Sequence, residues 1–234
     1  MHPHDYVRRW FLPFVPFCAR IGGPPHTVRQ LIAAGALPGA IYAGQRDSGH
    51  GWWSALGGDP DILPHDAEQW FAPAAVWWGR RALLCMLNGG SIDTAVRANQ
   101  THFVADFVDA LRAEPLAPGA FPDAFPGGVF DTDAATRCAL TEWSDWTKGG
   151  YAVCLARFSG ESCVRKEALA RRLRRHFEGE PGFALSRHTL FDLVERLEAM
   201  LLPFAPWQRA TCTPGRVIDP ALAALNLGNE RPYG

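Results

Sequence analysis

The fold is decided by the stretch PAAVWWGRRALLCML at residues 73–87, which begins with proline and is apolar around much of a helical circumference. Proline is tolerated in the first turn of a helix, and a helix that is apolar on most sides belongs in a protein interior. We therefore expect a central helix here. Residues 91–113 and 186–202 add two amphipathic helices, since their apolar side chains recur at helical spacing along one face.

Composition predicts a mainly α-helical protein built on one large aromatic-rich core. The chain has 234 residues, of which 47% are apolar and nine are tryptophan, so no metal or disulfide is required for folding. The best strand candidate is YAVCLA at residues 151–156, a short segment that follows glycine. Because one strand cannot form a sheet, we expect at most a small two- or three-stranded β element within a compact helical domain.

The N-terminal segment has helix-turn-helix spacing. Residues 15–21 and 26–34 predict two helices around a Gly-Gly-Pro-Pro turn, and VRQLIAAGALPG at residues 28–39 resembles the recognition helix of MerR-like or excisionase-like DNA binders. We expect residues 1–45 to form a helix-turn-helix-like module and residues 46–234 a helical domain, packed together as one compact unit. The positions of the helix-turn-helix segment expected to be exposed offer only Arg20, Arg29 and Gln30, which is too little cationic surface, so the sequence permits DNA as a partner but does not favour it.

Charge, cysteine spacing and hydropathy predict a cytoplasmic protein with no membrane partner. The net charge is −1, so no global field draws the chain to nucleic acid or to an anionic membrane. The six cysteines lie far apart without a Cys-x-x-Cys pair, which indicates a reducing compartment. No apolar run reaches the roughly 18 residues of a membrane span, and the N-terminus lacks a secretory signal. Oligomeric state is left open.

Two helices repeat the same polar pattern, which is compatible with a metal site. A histidine is followed by acidic residues at positions four and seven, which places all three on one helical face. The predicted ligands are His102 and Asp106 with Asp109 on one helix, and His188 and Asp192 with Glu195 on the other. Helical bundles build divalent-metal sites from such faces, whereas the alternative is that both faces are simply solvated.

A tryptophan-flanked acidic segment predicts acid–base chemistry. In EWSDW at residues 142–146, carboxylates beside indoles can have raised pKa values through desolvation, and such groups serve as proton donors or acceptors. The candidate catalytic residues are Glu142, Asp145, Tyr151 and Lys166. The alternative is a structural role in the core. A basic helix at residues 165–176 is compatible with an anionic partner, but we expect it to be a solvated surface.

The blocks EWSDWTKGGYAVCLARFSGESCVRKEALARRL, LPFAPWQRA and LIAAGALPG resemble a bacterial domain-of-unknown-function family whose members are catalogued as natural-product biosynthesis proteins. The resemblance implies a role in a specialised-metabolite pathway, as a small-molecule enzyme or an accessory binding protein. Its partner would be a small-molecule ligand or a pathway protein, with the cofactor unknown. Two alternatives stay open: a helix-turn-helix transcriptional regulator that senses a metabolite, and a metal-dependent helical enzyme of oxygenase type.

Overall fold

The computed structural model describes residues 3–44, 53–56 and 67–226. This part of the chain is mainly helical, as predicted, with one small antiparallel sheet. The α-helices are α1 (Pro3–Trp10), α2 (Phe14–Ile21), α3 (Pro25–Ala33), α4 (Ala75–Leu87), α5 (Ile92–Ala113), α6 (Ala117–Ala120), α7 (Thr132–Thr147), α8 (Gly160–Phe177), α9 (Arg187–Glu198) and α10 (Asp219–Ala224). The strands are β1 (Leu12–Pro13), β2 (Tyr42–Gly44), β3 (Trp53–Ser54) and β4 (Glu68–Phe71). Within the described ranges, no helix is both long and apolar enough to cross a bilayer.

The sheet has four strands, so the predicted limit of three is wrong. All neighbouring strands are antiparallel, in the order β1-β4-β2-β3, and Tyr42 at the centre pairs with both Trp70 and Ser54. Leu12 pairs with Phe71 at one edge. The strands hold only two to four residues each, too few for the alternation of apolar and polar side chains that identifies a strand in sequence.

The segment 151–156, predicted as a strand, forms a turn. The Tyr151 carbonyl accepts hydrogen bonds from the backbone N–H groups of Cys154 at 3.1 Å and Leu155 at 3.0 Å. Only one isolated bridge, between Leu155 and Leu201, has strand character. Residues 151–155 are all buried, so their sequence shows a continuous apolar run, and such a run does not distinguish a strand from a buried turn.

Helix α5, rather than α4, lies at the centre of the protein. It packs against α4, α7 and α8, and it buries Phe103, Phe107 and Leu111. Helix α4 buries mainly small side chains and leaves Trp77, Leu84 and Leu87 exposed. Helix α4 is therefore less buried than its apolar sequence predicts.

Apolar side chains form two clusters where the sequence predicts one core. The first is aromatic-rich and contains buried residues from Tyr6 to Cys212, drawn from the N-terminal helices, the sheet and α4 to α8. The second is aliphatic and lies between α8, α9 and α10, with Leu173 and Leu197 fully buried. Met200 and Leu201 pack against both clusters. The two interiors therefore share a boundary.

The two predicted N-terminal helices form as α2 and α3, joined by a tight turn. Gly22 ends α2 with a positive φ of 87°, a conformation that favours glycine, and its N–H donates to the Cys18 carbonyl. Helix α3 buries Val28 and Leu31 and packs against α2, α4 and α5. The Arg29 guanidinium lies 4.3 Å from the centre of the Phe14 ring. The assignment of residues 1–45 as a helix-turn-helix module stays a prediction.

Candidate functional site

A polar pocket of about 340 Å³ lies where the end of α7 meets α8. Asp145, Tyr151 and Lys166, three of the four predicted catalytic residues, line this pocket. The other lining residues are Ala55, Lys148, Gly150 and Glu167. The structure therefore brings together residues that lie up to 21 positions apart in the sequence.

A glycine turn after α7 brings Tyr151 back beside Glu142. The N–H of Gly149 donates to the Trp146 carbonyl at 2.9 Å, and that of Gly150 donates to the Asp145 carbonyl at 2.8 Å. Gly149 has a φ of +96°, and a Cβ atom there would lie 2.7 Å from that of Ala55. The turn therefore requires glycine both for its backbone conformation and for space.

The first turn of α8 fixes the position of the helix that forms the other wall of the polar pocket. Ser159 and Ser162 form a capping box in which each side chain accepts a hydrogen bond from the other residue's backbone N–H. Gly160 packs directly on α5, because a Cβ atom at this position would lie 2.2 Å from the Phe107 nitrogen. This close approach sets the position of Cys163 and Lys166, which lie three residues apart on the buried face of α8.

Hydrogen bonds and charge pairs link the side chains of the pocket. The Tyr151 hydroxyl donates a short hydrogen bond to the Glu142 carboxylate, and the Cys163 thiol lies 3.9 Å from Glu142 Oε2. Lys166 Nζ is 2.5 Å from Glu167 Oε1 and 5.3 Å from the centre of the Tyr151 ring. Glu142 is thus joined to the pocket through Tyr151.

Burial shifts the acid–base properties of this cluster. It raises the pKa of Glu142, and a hydrogen bond from Tyr151 only partly offsets the effect. Burial raises the pKa of Tyr151 well above its usual range. Burial alone would lower the pKa of Lys166, but the net shift is upward because Cys154 and Glu167 favour its charged form. The Lys166 ammonium therefore keeps its proton at neutral pH.

The buried thiols are poor nucleophiles. Burial raises the pKa of Cys154 to about 11 and that of Cys163 well above its usual range. Because the thiolate is the reactive form, neither side chain supplies a nucleophile at neutral pH. Of the groups in this cluster, Glu142 is therefore the one whose pKa shift is toward neutral pH, and the Tyr151 hydroxyl is hydrogen-bonded to it.

Residues 99–226 match the model of a family of unknown function, DUF6058. The chain belongs to the DUF6058 family. No curated protein and no solved structure matches the chain. The DUF6058 segment begins within α5 and contains every lining residue of the polar pocket except Ala55.

Several of the predicted metal ligands in the DUF6058 segment contact other groups, and the metal site stays a prediction. His102 lies beside the rings of Trp77 and Trp78, and Asp106 accepts a hydrogen bond from the Glu161 N–H at 3.1 Å. Asp192 pairs with Arg196 at 3.5 Å on α9, the helix that also carries His188. Across the described ranges, no three His, Cys, Asp or Glu side chains lie together in a way that could hold a metal ion.

The basic helix α8 of this DUF6058 protein is largely neutralised by its own neighbours. Arg165 pairs with Glu161 at 2.9 Å, and Arg175 pairs with Glu180 while its guanidinium lies 3.4 Å from the Phe183 ring centre. Arg171 lies 3.7 Å from a carboxylate oxygen of Glu178. These contacts favour a structural role for the helix, in agreement with the expectation of a solvated surface.

A second cavity of about 680 Å³ lies between α4, α5 and the start of α8. Its wall includes Trp77, Trp78, His102 and Asp106. Stacked aromatic rings separate it from the polar pocket: the Phe158 ring lies 3.9 Å from the Trp146 ring and 5.9 Å from the Tyr151 ring. The aromatic-lined cavity and the acid–base cluster are therefore two sites.

Sequence reasoning missed two residues of the polar cluster. Cys163 precedes Lys166 by three positions on α8, so helical spacing could have placed it on the same face. Lys148 follows α7 directly as its C-cap and lies three positions after Asp145, so the same helical spacing could have placed it at the pocket rim.

Proposed function

We propose that this chain binds a small polar molecule in the pocket at Lys166 and transfers a proton to or from it, as an enzyme of a specialised-metabolite pathway. One observation carries the proposal: the Lys166 side chain is nearly buried, with the residue 8% exposed, and holds a 2.5 Å ion pair with Glu167 at the pocket wall. The resemblance to natural-product biosynthesis proteins supports the pathway.

A buried ion pair contributes little to the stability of a fold. The cost of removing both charges from water offsets most of their attraction, so an apolar pair of similar size is often at least as stable. A charged lysine beside a cavity is better explained by a ligand that needs a fixed positive charge. Lys166 would bind a carboxylate, phosphate or polarised carbonyl oxygen and hold it against the Tyr151 ring.

Lys166 is assigned the role of a fixed cation and not that of an amine nucleophile. Schiff-base chemistry requires a neutral amine, whereas the raised pKa of Lys166 keeps its proton in place at neutral pH. The proton-transfer role falls to Glu142, whose raised pKa brings it closer to neutral pH, where general acids and bases are effective. Tyr151 would relay the proton between Glu142 and the ligand, since its hydroxyl contacts that carboxylate.

The pocket suits a ligand that is small and carries polar groups. Its volume of about 340 Å³ lies at the lower end of small-molecule sites. Asp145 and Lys148 are exposed at its rim and can contact further charged groups. An accessory binding protein would use the same pocket without turnover, and this outcome is distinguished by the Glu142 variant below.

The test is a panel of small bacterial metabolites screened by the thermal shift of the purified protein. We expect compounds with an anionic or carbonyl group to stabilise the wild type but not Lys166→Met. The control Lys148→Met removes the same charge at the exposed rim and should weaken binding at most severalfold. Loss of binding in both variants, or in neither, contradicts the proposed role of Lys166.

A second variant separates catalysis from binding. Glu142→Gln keeps a hydrogen-bond acceptor for Tyr151 but cannot transfer a proton. We expect the variant to bind the ligand normally and to lose turnover by about 100-fold or more, a typical contribution of a positioned acid or base. Unchanged turnover in Glu142→Gln contradicts the assignment of Glu142 as the acid–base group.

A further inference from the structure

The aromatic-lined cavity between α4, α5 and α8 has the features of a second ligand site. Trp77 lies on the wall of this cavity and is 50% exposed, although an apolar side chain of this size is usually largely buried. The His102 ring lies 5.4 Å from Trp77 and 5.9 Å from Trp78, so three rings border the same cavity. A planar ligand could contact these rings without displacing any buried side chain.

An unpaired carboxylate lies beside these rings. Asp106 follows His102 by one helical turn on α5, is half-buried and lines the cavity. The Asp106 carboxylate accepts a hydrogen bond from the Glu161 backbone N–H, and no cationic side chain of the described residues pairs with it. The neighbouring acids differ in this respect, since Glu161 pairs with Arg165 and Asp109 pairs with Arg112, each at 2.9 Å.

The charge around the cavity favours a cation over an anion. An adjoining hollow of about 260 Å³ shares Asp106, Glu161 and Arg165 with the cavity and adds Glu114. Arg165 is already paired with Glu161. Arg157 also lines the cavity but is exposed, where water screens its charge. The half-buried, unpaired carboxylate of Asp106 therefore attracts a cation more strongly than the exposed Arg157 attracts an anion.

From these observations we propose that this cavity binds a planar aromatic molecule that carries a protonated amine. The aromatic ring packs against Trp77 and His102, and the ammonium group forms an ion pair with Asp106. An indole face also attracts cations directly, which adds to the same preference. The site shares no lining residue with the polar pocket, so it does not depend on the function proposed above.

The test measures binding of three probes to the full-length protein by isothermal titration calorimetry. Tryptamine has both the ring and the amine, indole-3-acetate has the ring with a negative charge, and putrescine has amines without a ring. We expect tryptamine to bind at least about tenfold more tightly than either of the others. Equal or tighter binding of indole-3-acetate, or no binding of tryptamine, overturns the proposal.

Matched variants locate the site. Asp106→Asn keeps an oxygen to accept the Glu161 N–H but removes the charge, and should weaken tryptamine binding at least about tenfold. Asp109→Asn is the control, because it removes an equal charge three residues further along the same helix. Arg112 already pairs with Asp109, so this change should leave the affinity for tryptamine within about twofold. Trp77→Ala should weaken binding, and Trp77→Phe should restore part of it. An unchanged affinity in Asp106→Asn overturns the proposal, with thermal unfolding confirming that each variant is folded.

Discussion

At the scale of single residues, the ion pair between Lys166 and Glu167 combines a nearly buried cation with a less buried anion. Glu167 keeps 29% of its side chain exposed, so water can solvate its charge if the partner is lost. The Lys166 side chain is only 10% exposed, so water solvates its charge much less. Removing one partner should therefore have a different effect from removing the other.

We predict that Glu167→Gln destabilises the fold more than Lys166→Met does. The first change leaves a buried ammonium without its carboxylate, at a cost of about 2–4 kcal/mol. The second replaces the lysine by an apolar side chain of similar length and should change stability by less than about 1 kcal/mol. Urea unfolding of both variants at neutral pH measures the difference. Equal losses, or a larger loss in Lys166→Met, would mean that the charge on Lys166 is not held by Glu167.

The pH dependence of stability reports on Glu142. Its folded-state pKa lies above the ordinary value of 4.5, because burial favours the protonated form. The stabilisation that this shift contributes is fully present below pH 4.5 and is lost as pH rises through the raised folded value. We predict that wild type loses stability relative to Glu142→Gln over that range. The difference in the free energy of unfolding between the two proteins should therefore change between about pH 4 and about pH 8. A difference that stays constant over this range would rule out the shift.

At the scale of secondary structure, the contact between α5 and α8 holds both sites in place. Gly160 allows the backbones of the two helices to touch at Phe107, and Asp106 accepts a hydrogen bond from the first turn of α8. The polar pocket depends on the inward face of α8, and the aromatic-lined cavity lies beside its first turn. A displacement of α8 should therefore disturb both.

We predict that Gly160→Ala destabilises the protein by about 2 kcal/mol or more, because the added methyl group would overlap the Phe107 backbone. Gly119→Ala in α6 is the matched control. A Cβ atom there would make only an ordinary contact with Arg175 at 3.5 Å, so this helical glycine should tolerate alanine. Chemical denaturation of the two variants tests the contact. Similar stabilities would show that α8 does not pack on α5 at Gly160.

The success of sequence reasoning depended on the length of each element. Helices α5, α7, α8 and α9 span enough turns for their apolar periodicity to be read from sequence, and serines at 91, 159 and 186 cap three of them. Strands of two to four residues carry no readable period, so β1, β3 and β4 were missed. Asp145, Tyr151 and Lys166, which line the pocket, and Glu142, which lies behind Tyr151, were named from their chemistry. The contact of Tyr151 with Glu142 depends on the Gly149 turn, which spacing alone does not place.

At the scale of the whole molecule, the two apolar clusters meet at Met200 and Leu201. Among the described residues, the second cluster contains no tryptophan, whereas Trp70, Trp78, Trp143 and Trp146 all belong to the first. Tryptophan fluorescence therefore reports on the first cluster, and circular dichroism reports on the helices of both. The shared residues should couple the unfolding of the two clusters.

We predict a single cooperative transition in which fluorescence and far-ultraviolet circular dichroism give coincident curves. Helix α8 contributes side chains to both clusters, so neither can lose its packing without exposing the other. An early loss of circular dichroism without a change in fluorescence would show that α9 and α10 unfold independently. The second cluster would then be a separate unit.

The proposed function requires that a ligand binds in the pocket lined by Lys166. The most direct measurement is the mapping of a bound metabolite from the screen by amide chemical-shift changes in ¹⁵N-labelled protein. We predict that the largest changes fall at residues 145–151 and 166–167, with small changes in the second cluster around α9 and α10. The largest changes falling outside these segments, with the amides around Lys166 undisturbed, would contradict the account.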